Sequence, residues 1–279
     1  MAKNYSKKLI GHGLVSAVLA ASSVSPALAQ GERPDFSGVW TSYADPNAAP
    51  TSAAGFGGAG APLPFTDEGR IRREEYQQIV VSTAGDDSGG TSRENPGAFC
   101  VTYGMPTMML SVGAYPIEFI QRPDQFTIIY EVESETRRVY FEDRALPEER
   151  RFPNRQGYSV GRWEGNTLVV ETTSLTDGQD QLNFPHSDQA RITEQFSMHT
   201  DDNGTKVITY EMMMTDPVYY TEAVTTTRQW APLPNGQIIA YNCPEEPWLK
   251  LLALRRAQLR AGEPITATMA DVYATEMYE

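Results

Sequence analysis

From Tyr115 onward the chain alternates. Short runs of β-branched and aromatic residues, apolar at every second position, are separated by turn residues, the period expected of strands that bury one face. Phe126, Ile128, Tyr130 and Val132 form one such face, and Ile192, Glu194, Phe196 and Met198 another. The pattern predicts strands near 115–122, 125–133, 136–142, 158–163, 166–173, 190–199, 205–214, 222–230 and 236–242, with a further strand at Val39 to Tyr43. Trp163-Glu164-Gly165-Asn166 and Asp201-Asp202-Asn203-Gly204 read as hairpin turns, and Pro234-Asn235-Gly236 supplies another turn signal. Most links are short, so sequential strands should pair as an antiparallel meander. A meander of this length must close into a barrel, or curve strongly, to hide its apolar face and its edges. At the C-terminal end the period changes: Trp248, Leu251, Leu252, Leu254 and Leu259 recur at near-helical spacing, predicting an amphipathic helix from Glu246 to Arg260 that packs against the sheet.

The N-terminal third is organised differently. Lys3, Lys7 and Lys8 precede the apolar run Leu14 to Ala20, and Ala27-Leu28-Ala29 places small residues at a cleavage position. Residues 1–29 therefore read as a cleaved signal peptide, and no later stretch is long and apolar enough to span a bilayer. Residues 44–64 are rich in Ala, Gly and Pro and read as a flexible loop, as does the stretch 84–97. Between them a polar helix is expected, capped by Thr66 or Asp67 and reaching Gln78. The expected organisation is a signal peptide over 1–29, an N-terminal strand, loop and short helix over 30–99, a β-barrel body over 100–245 and a helical segment over 246–279.

Charge narrows the partners. The chain has 23 Lys+Arg against 36 Asp+Glu, a net −13. Cleavage after Ala29 removes three lysines and no acid, which deepens the charge to −16. Such a surface lacks the concentrated cationic face that nucleic acid requires. Export to the periplasm or beyond also decides the reading of Cys100 and Cys243, the two cysteines of the chain. In an oxidising compartment the default is a disulfide between them; the alternative, a thiol nucleophile or metal ligand, would need a nearby His or further thiols.

Several candidate chemistries fail on context. Gly157-Tyr158-Ser159-Val160-Gly161 matches the nucleophile-elbow pattern, but a β-hairpin follows it where a helix is needed. His186 and His199, the histidines that survive cleavage, cannot make a zinc set with two oxidised cysteines. Asp177-Gly178-Gln179-Asp180 lacks the ligand spacing of a calcium loop, and no phosphate-binding Gly-Lys-Ser/Thr occurs, so no metal or cofactor is expected.

What remains are charges on faces that otherwise read as apolar. Glu194 falls within an inward set, Arg138 and Tyr140 share a face, and Val224 shares one with Arg228. An inward Glu194 must pair with an arginine such as Arg138 or Arg228, or hold its proton, because an unpaired buried ion costs several kcal/mol. The plainer reading is a one-residue error of register, or ion pairs on the rim. His186, between apolar and turn residues, has the placement of a general base at a barrel mouth, or of a hydrogen-bonded loop residue. Met105, Met108, Met109 and Met212 to Met214, with Tyr103, Tyr210, Tyr219 and Tyr220, would give a soft apolar lining, or simply an irregular core.

Phe36-Ser37-Gly38-Val39-Trp40 resembles the Gly-x-Trp opening of the lipocalin-like (calycin) barrels, in which the Trp packs across one barrel end. Pro34 to Trp40, Cys100 with Gly104-Met105-Pro106, Arg137-Arg138-Val139-Tyr140, Gly161 to Thr172, Pro185-His186-Ser187 and Tyr241-Asn242-Cys243 resemble a large, mostly uncharacterised group of exported bacterial β-rich proteins. That resemblance implies a secreted β domain, draws attention to Arg138, Tyr140, Trp163 and His186, and brings no reaction with it. Three classes of function follow. One is a barrel that binds an apolar lipid, terpenoid, steroid or aromatic molecule, with Tyr130, Tyr140, Trp163 and Arg228 as contacts. Another is a cofactor-independent lyase, hydratase, isomerase or hydrolase, with Glu194 or His186 moving a proton and Arg138, Tyr130 or Tyr140 polarising the substrate. A third is a protein-interaction role at the cell surface.

Overall fold

A computed structural model describes residues 33–44, 62–76, 102, 104–110, 115–179, 185–241, 246–268 and 271–272. The expected signal peptide, the Ala/Gly/Pro-rich stretch from residue 45 to 61, the loop at 84–97, and Cys100 and Cys243 with their expected disulfide lie outside the described residues.

The elements in chain order are β1 (Gly38–Ser42), α1 (Asp67–Tyr76), α2 (Thr107–Leu110), β2 (Ile117–Gln121), β3 (Gln125–Tyr130), β4 (Glu135–Phe141), β5 (Tyr158–Glu164), β6 (Thr167–Thr173), β7 (Gly178–Gln179), β8 (Pro185–His186), β9 (Arg191–Thr200), β10 (Lys206–Thr215), β11 (Val224–Pro232) and α3 (Glu246–Ala261). Nine of the strands close a barrel in the order β1-β11-β10-β9-β6-β5-β4-β3-β2, while β7 and β8 pair separately. Closure removes the sheet edges that the alternation left to be hidden. Hairpin chemistry fixes much of the register. The β9–β10 turn carries Gly204 at a φ of 82°, a left-handed conformation that suits glycine, and Asp201 Oδ1 accepts from the Asn203 and Thr205 amides at 2.9 and 2.7 Å.

Two departures from a simple meander have physical causes. β4 and β5 pair parallel, Val139 opposite Ser159, because the connection at 142–157 is long enough to carry the chain back to the start of the next strand. The strand expected at 236–242 does not form over 236–241. The ladder position it would occupy beside β11 belongs to β1, with Trp40 opposite Pro232 and the Leu233 amide donating to Val39 O at 2.9 Å.

Alternation carries through to packing. Phe36, Phe119, Phe126, Phe196, Tyr210 and Trp230 fill one part of the interior with ring contacts between 5.0 and 6.4 Å. Trp163 stacks on Phe36 at 5.8 Å, and buried Trp40 donates its indole N–H to Phe36 O at 2.8 Å. Met105, Met108, Met109 and Leu110, from α2 and the residues before it, join Met212, Met214, Tyr219 and Tyr220 in the same core. α1 begins where its cap was expected, Thr66 Oγ1 accepting from the Gly69 amide at 3.0 Å. α3 forms as expected but its packing differs. Its buried Leu251 belongs to a small cluster with Ala267 and Val272, separate from the barrel core, while Leu249, Leu254 and Leu259 remain exposed. Arg255 Nε to Ala267 O at 3.0 Å ties the helix to the chain that follows it.

Candidate functional site

Each inward-facing side chain in the barrel is placed by strand parity, and two of the inward positions are arginines. On β4 the inward set is Glu135, Arg137, Val139 and Phe141, all buried, while Arg138 faces solvent and Tyr140 stacks outside on Tyr158 at 5.4 Å. This corrects the expected face: Arg138 and Tyr140 share a side, but it is the outer one. On β11 the inward set is Val224, Thr226, Arg228 and Trp230, which lie opposite the inward Met214, Met212, Tyr210 and Ile208 of β10.

Arg137 and Glu194 make the central contact. Glu194 is fully buried, as its alternation indicated, and its partner is Arg137 rather than Arg138 or Arg228. Arg137 Nη1 donates to Glu194 Oε1 at 2.7 Å and Nη2 donates to Oε2. The guanidinium also donates to Ser159 Oγ from Nε at 3.0 Å and Nη2 at 2.9 Å, and to Thr172 Oγ1 at 2.8 Å. Glu194 Oε1 accepts from Tyr210 OH at 2.9 Å, and Oε2 from Thr172 Oγ1 at 3.3 Å. Burial alone would disfavour both charges, yet the Arg137 pKa is raised, because the nearby carboxylate outweighs desolvation. The Tyr210 hydroxyl is pushed well above its usual pKa by burial and by the same carboxylate, so it stays a donor. Ser159, the centre of the elbow-like pattern, sits buried on a strand as part of this network.

Arg228 has a different environment. Its Nη2 donates to Leu110 O at 2.9 Å, and its buried Nε has no hydrogen-bond partner among the described residues. Burial lowers its pKa, opposed by the hydroxyls of Tyr130 and Tyr210. Tyr130 is buried on β3 directly opposite Glu135, and Trp163 is half-buried, with Arg33 over its ring at 5.4 Å. The structure thus brings Arg228, Tyr130 and Tyr210 together inside the barrel, and leaves Arg138 and Tyr140 outside it.

Glu135 was not among the residues singled out from sequence. It is buried, its pKa is raised by desolvation, and its Oε1 accepts from the Gly104 amide at 2.8 Å. The signal that could have found it and Arg137 is the run Glu135-x-Arg137-x-Val139-x-Phe141, whose last two members are plainly core residues.

His186 lies on β8, outside the barrel strands. It is buried beside Gly178, its Nδ1 has no hydrogen-bond partner among the described residues, and burial pushes its pKa down to about 4 despite Asp216 and Asp177 nearby. Around it Asp216 accepts from the Ser187 amide and hydroxyl at 2.6 and 2.8 Å, while Asp177 accepts from Tyr219 OH at 2.5 Å and Arg72 Nη2 at 2.9 Å. Neighbouring carboxylates are thus engaged with other donors, an arrangement that holds a loop in place more than it prepares a base.

No protein-family model and no curated protein matches the chain. Among the described residues no helix is long and apolar enough to cross a membrane.

Proposed function

We propose that the protein is an exported barrel that binds a small apolar molecule at the β11 side of its interior. The observation that carries this reading is the accessibility of β11. Thr226 and Arg228 occupy inward positions of a closed barrel, yet both remain half-buried, while Met212 and Tyr210 directly opposite them are sealed. An inward residue that solvent can reach borders space inside or at the mouth of the barrel. Its surroundings suit a guest: Met212, Met214 and Val224 are apolar and the methionines adaptable, and Tyr130, Tyr210 and Arg228 contribute a few polar atoms for orientation. Export follows from the basic, apolar and small-residue order of the first 29 residues.

A cofactor-independent enzyme is the second reading, and Glu135 is the observation that favours it. Burial raises its pKa, and it lies across the ladder from Tyr130. Glu194 is less suited, since Arg137, Tyr210 and Thr172 already engage both of its oxygens. One experiment separates the readings. Native mass spectrometry of the exported chain should reveal a co-purified small molecule, and incubation with more of it should return it unchanged. A chemically altered molecule selects the enzyme, whereas an empty protein that also fails to take up fluorescent apolar probes overturns both.

A further inference from the structure

We infer that the guest of this barrel is an amphipathic monocarboxylic acid whose carboxylate is held by Arg228, an inference that rests on the binding reading above. The argument starts from what the guanidinium lacks. A buried arginine ordinarily finds a carboxylate, and Arg137 in the same barrel has one. For Arg228 no carboxylate of the described residues lies within ion-pair distance, and among those residues its side chain donates to a carbonyl, Leu110 O. The Nε–H is buried and unsatisfied. The side chain as a whole is half-buried while Nε itself is sealed, so a guest's carboxylate completes the group by displacing what now covers the Nε edge.

The geometry of the group selects the chemistry. Nε and one Nη of a guanidinium form a flat two-donor edge that matches the two oxygens of a carboxylate. Leu110 O takes one donor at Nη2 and leaves Nε to the guest. Tyr210 lies directly across the ladder from Arg228, and its hydroxyl already gives its proton to Glu194. With a single inward guanidinium available, a monoanion is matched and a phosphate dianion is not. The remainder of the guest meets Met212 and Val224, so it is apolar.

Two matched pairs of probes test this on the full exported chain: dodecanoate against dodecanol, and 2-naphthoate against 2-naphthylmethanol, each by calorimetry. At least one acid should bind more tightly than its alcohol by about tenfold or more, the value of a charge-assisted hydrogen bond. Arg228→Gln should erase that preference while leaving alcohol binding intact, and Arg228→Lys, which keeps the charge but loses the flat edge, should retain only part of it. Added salt should weaken acid binding little, because a pair formed inside the barrel is screened far less than a carboxylate held at the surface. Equal binding of acid and alcohol to the unaltered protein overturns the inference and leaves the binding reading standing. A preference that survives in Arg228→Gln removes Arg228 from the role, and failure of all four probes counts against both the inference and the reading beneath it.

Discussion

Arg137 and Arg228 occupy equivalent kinds of position, inward on a strand of the same closed barrel, and they end in opposite states. Arg137 donates from Nε, Nη1 and Nη2 to Glu194, Ser159 and Thr172, while Arg228 donates to one carbonyl and keeps a buried Nε without a partner. The difference teaches which buried charge belongs to the architecture. A guanidinium that the fold satisfies completely has nothing left to offer a guest, and one that the fold leaves incomplete costs stability unless something outside the chain completes it.

The largest expected effect comes from opening the complete network. Arg137→Met should strand Glu194 as a buried, unpaired carboxylate and destabilise the protein by about 3–5 kcal/mol, measured by urea unfolding. Adding Glu194→Met should recover most of that loss, since removing both charges also removes the desolvation penalty. If the double variant is no more stable than the single one, the pair contributes more than mutual neutralisation, and the contrast with Arg228 rests on packing instead.

Much of this frame was legible in the chain. The alternation Ile192, Glu194, Phe196, Met198 placed Glu194 inside, and Val224 and Arg228 were correctly put on one side of their strand. The partner of Glu194 was harder to read, because the doublet Arg137-Arg138 offers an arginine to either face. Choosing the face with Tyr140 puts the charges of Glu135 and Arg137 outward, which is the usual rule for ions. The rule failed here because Glu194, 57 residues away in sequence, supplies the neutralising charge. Long-range pairing of this kind leaves no local pattern. The parallel β4–β5 pairing and the irregular course of 236–241 escaped for a related reason, since each depends on which strand edge another segment already occupies.

His186 gives the next largest effect and extends the comparison to a cation that can discharge. Arginine cannot shed its proton, so Arg137 is buried with a carboxylate; imidazole can, so His186 is buried neutral. Its pKa falls from 6.5 to about 4 on folding, so the unfolded chain takes up a proton at higher pH than the folded protein does. The stability this provides is fully present above pH 6.5 and is lost as the pH falls through about 4. The loss should approach about 3 kcal/mol from this residue. Denaturant titrations at pH 7 and pH 4 should differ less in His186→Leu than in the unaltered protein.

Glu135 titrates in the opposite sense. Burial raises its pKa above 4.5, so the folded protein holds this proton more tightly than the unfolded chain, and its contribution to stability declines as pH rises from 4.5 through the raised value. Glu135→Gln keeps an oxygen to accept from the Gly104 amide and cannot ionise. It should therefore match the unaltered protein near pH 4 and be the more stable of the two at pH 8. Equal stability at both pH values would mean that Glu135 ionises in the fold without penalty.

Arg228→Met should have the smallest effect on stability, and its sign is the sharpest check on the comparison. The substitution forfeits one hydrogen bond to Leu110 O, worth about 0.5–1.5 kcal/mol net. Against that, it removes a buried Nε that lacks an acceptor, a deficit of about 1–3 kcal/mol, and relieves the partial desolvation of a charge with no carboxylate beside it. Methionine fits beside Ile208 and Met212, the diagonal neighbours of position 228 across the ladder, and fills much of the volume of the arginine stem. The balance lies within about 1 kcal/mol of zero and leans toward stabilisation. A loss comparable to that of Arg137→Met would show that the fold, and not a guest, is what Arg228 serves. A neutral or stabilised protein would mark Arg228 as a residue kept at a cost in stability, as expected of a group that waits for an acid to enter the barrel.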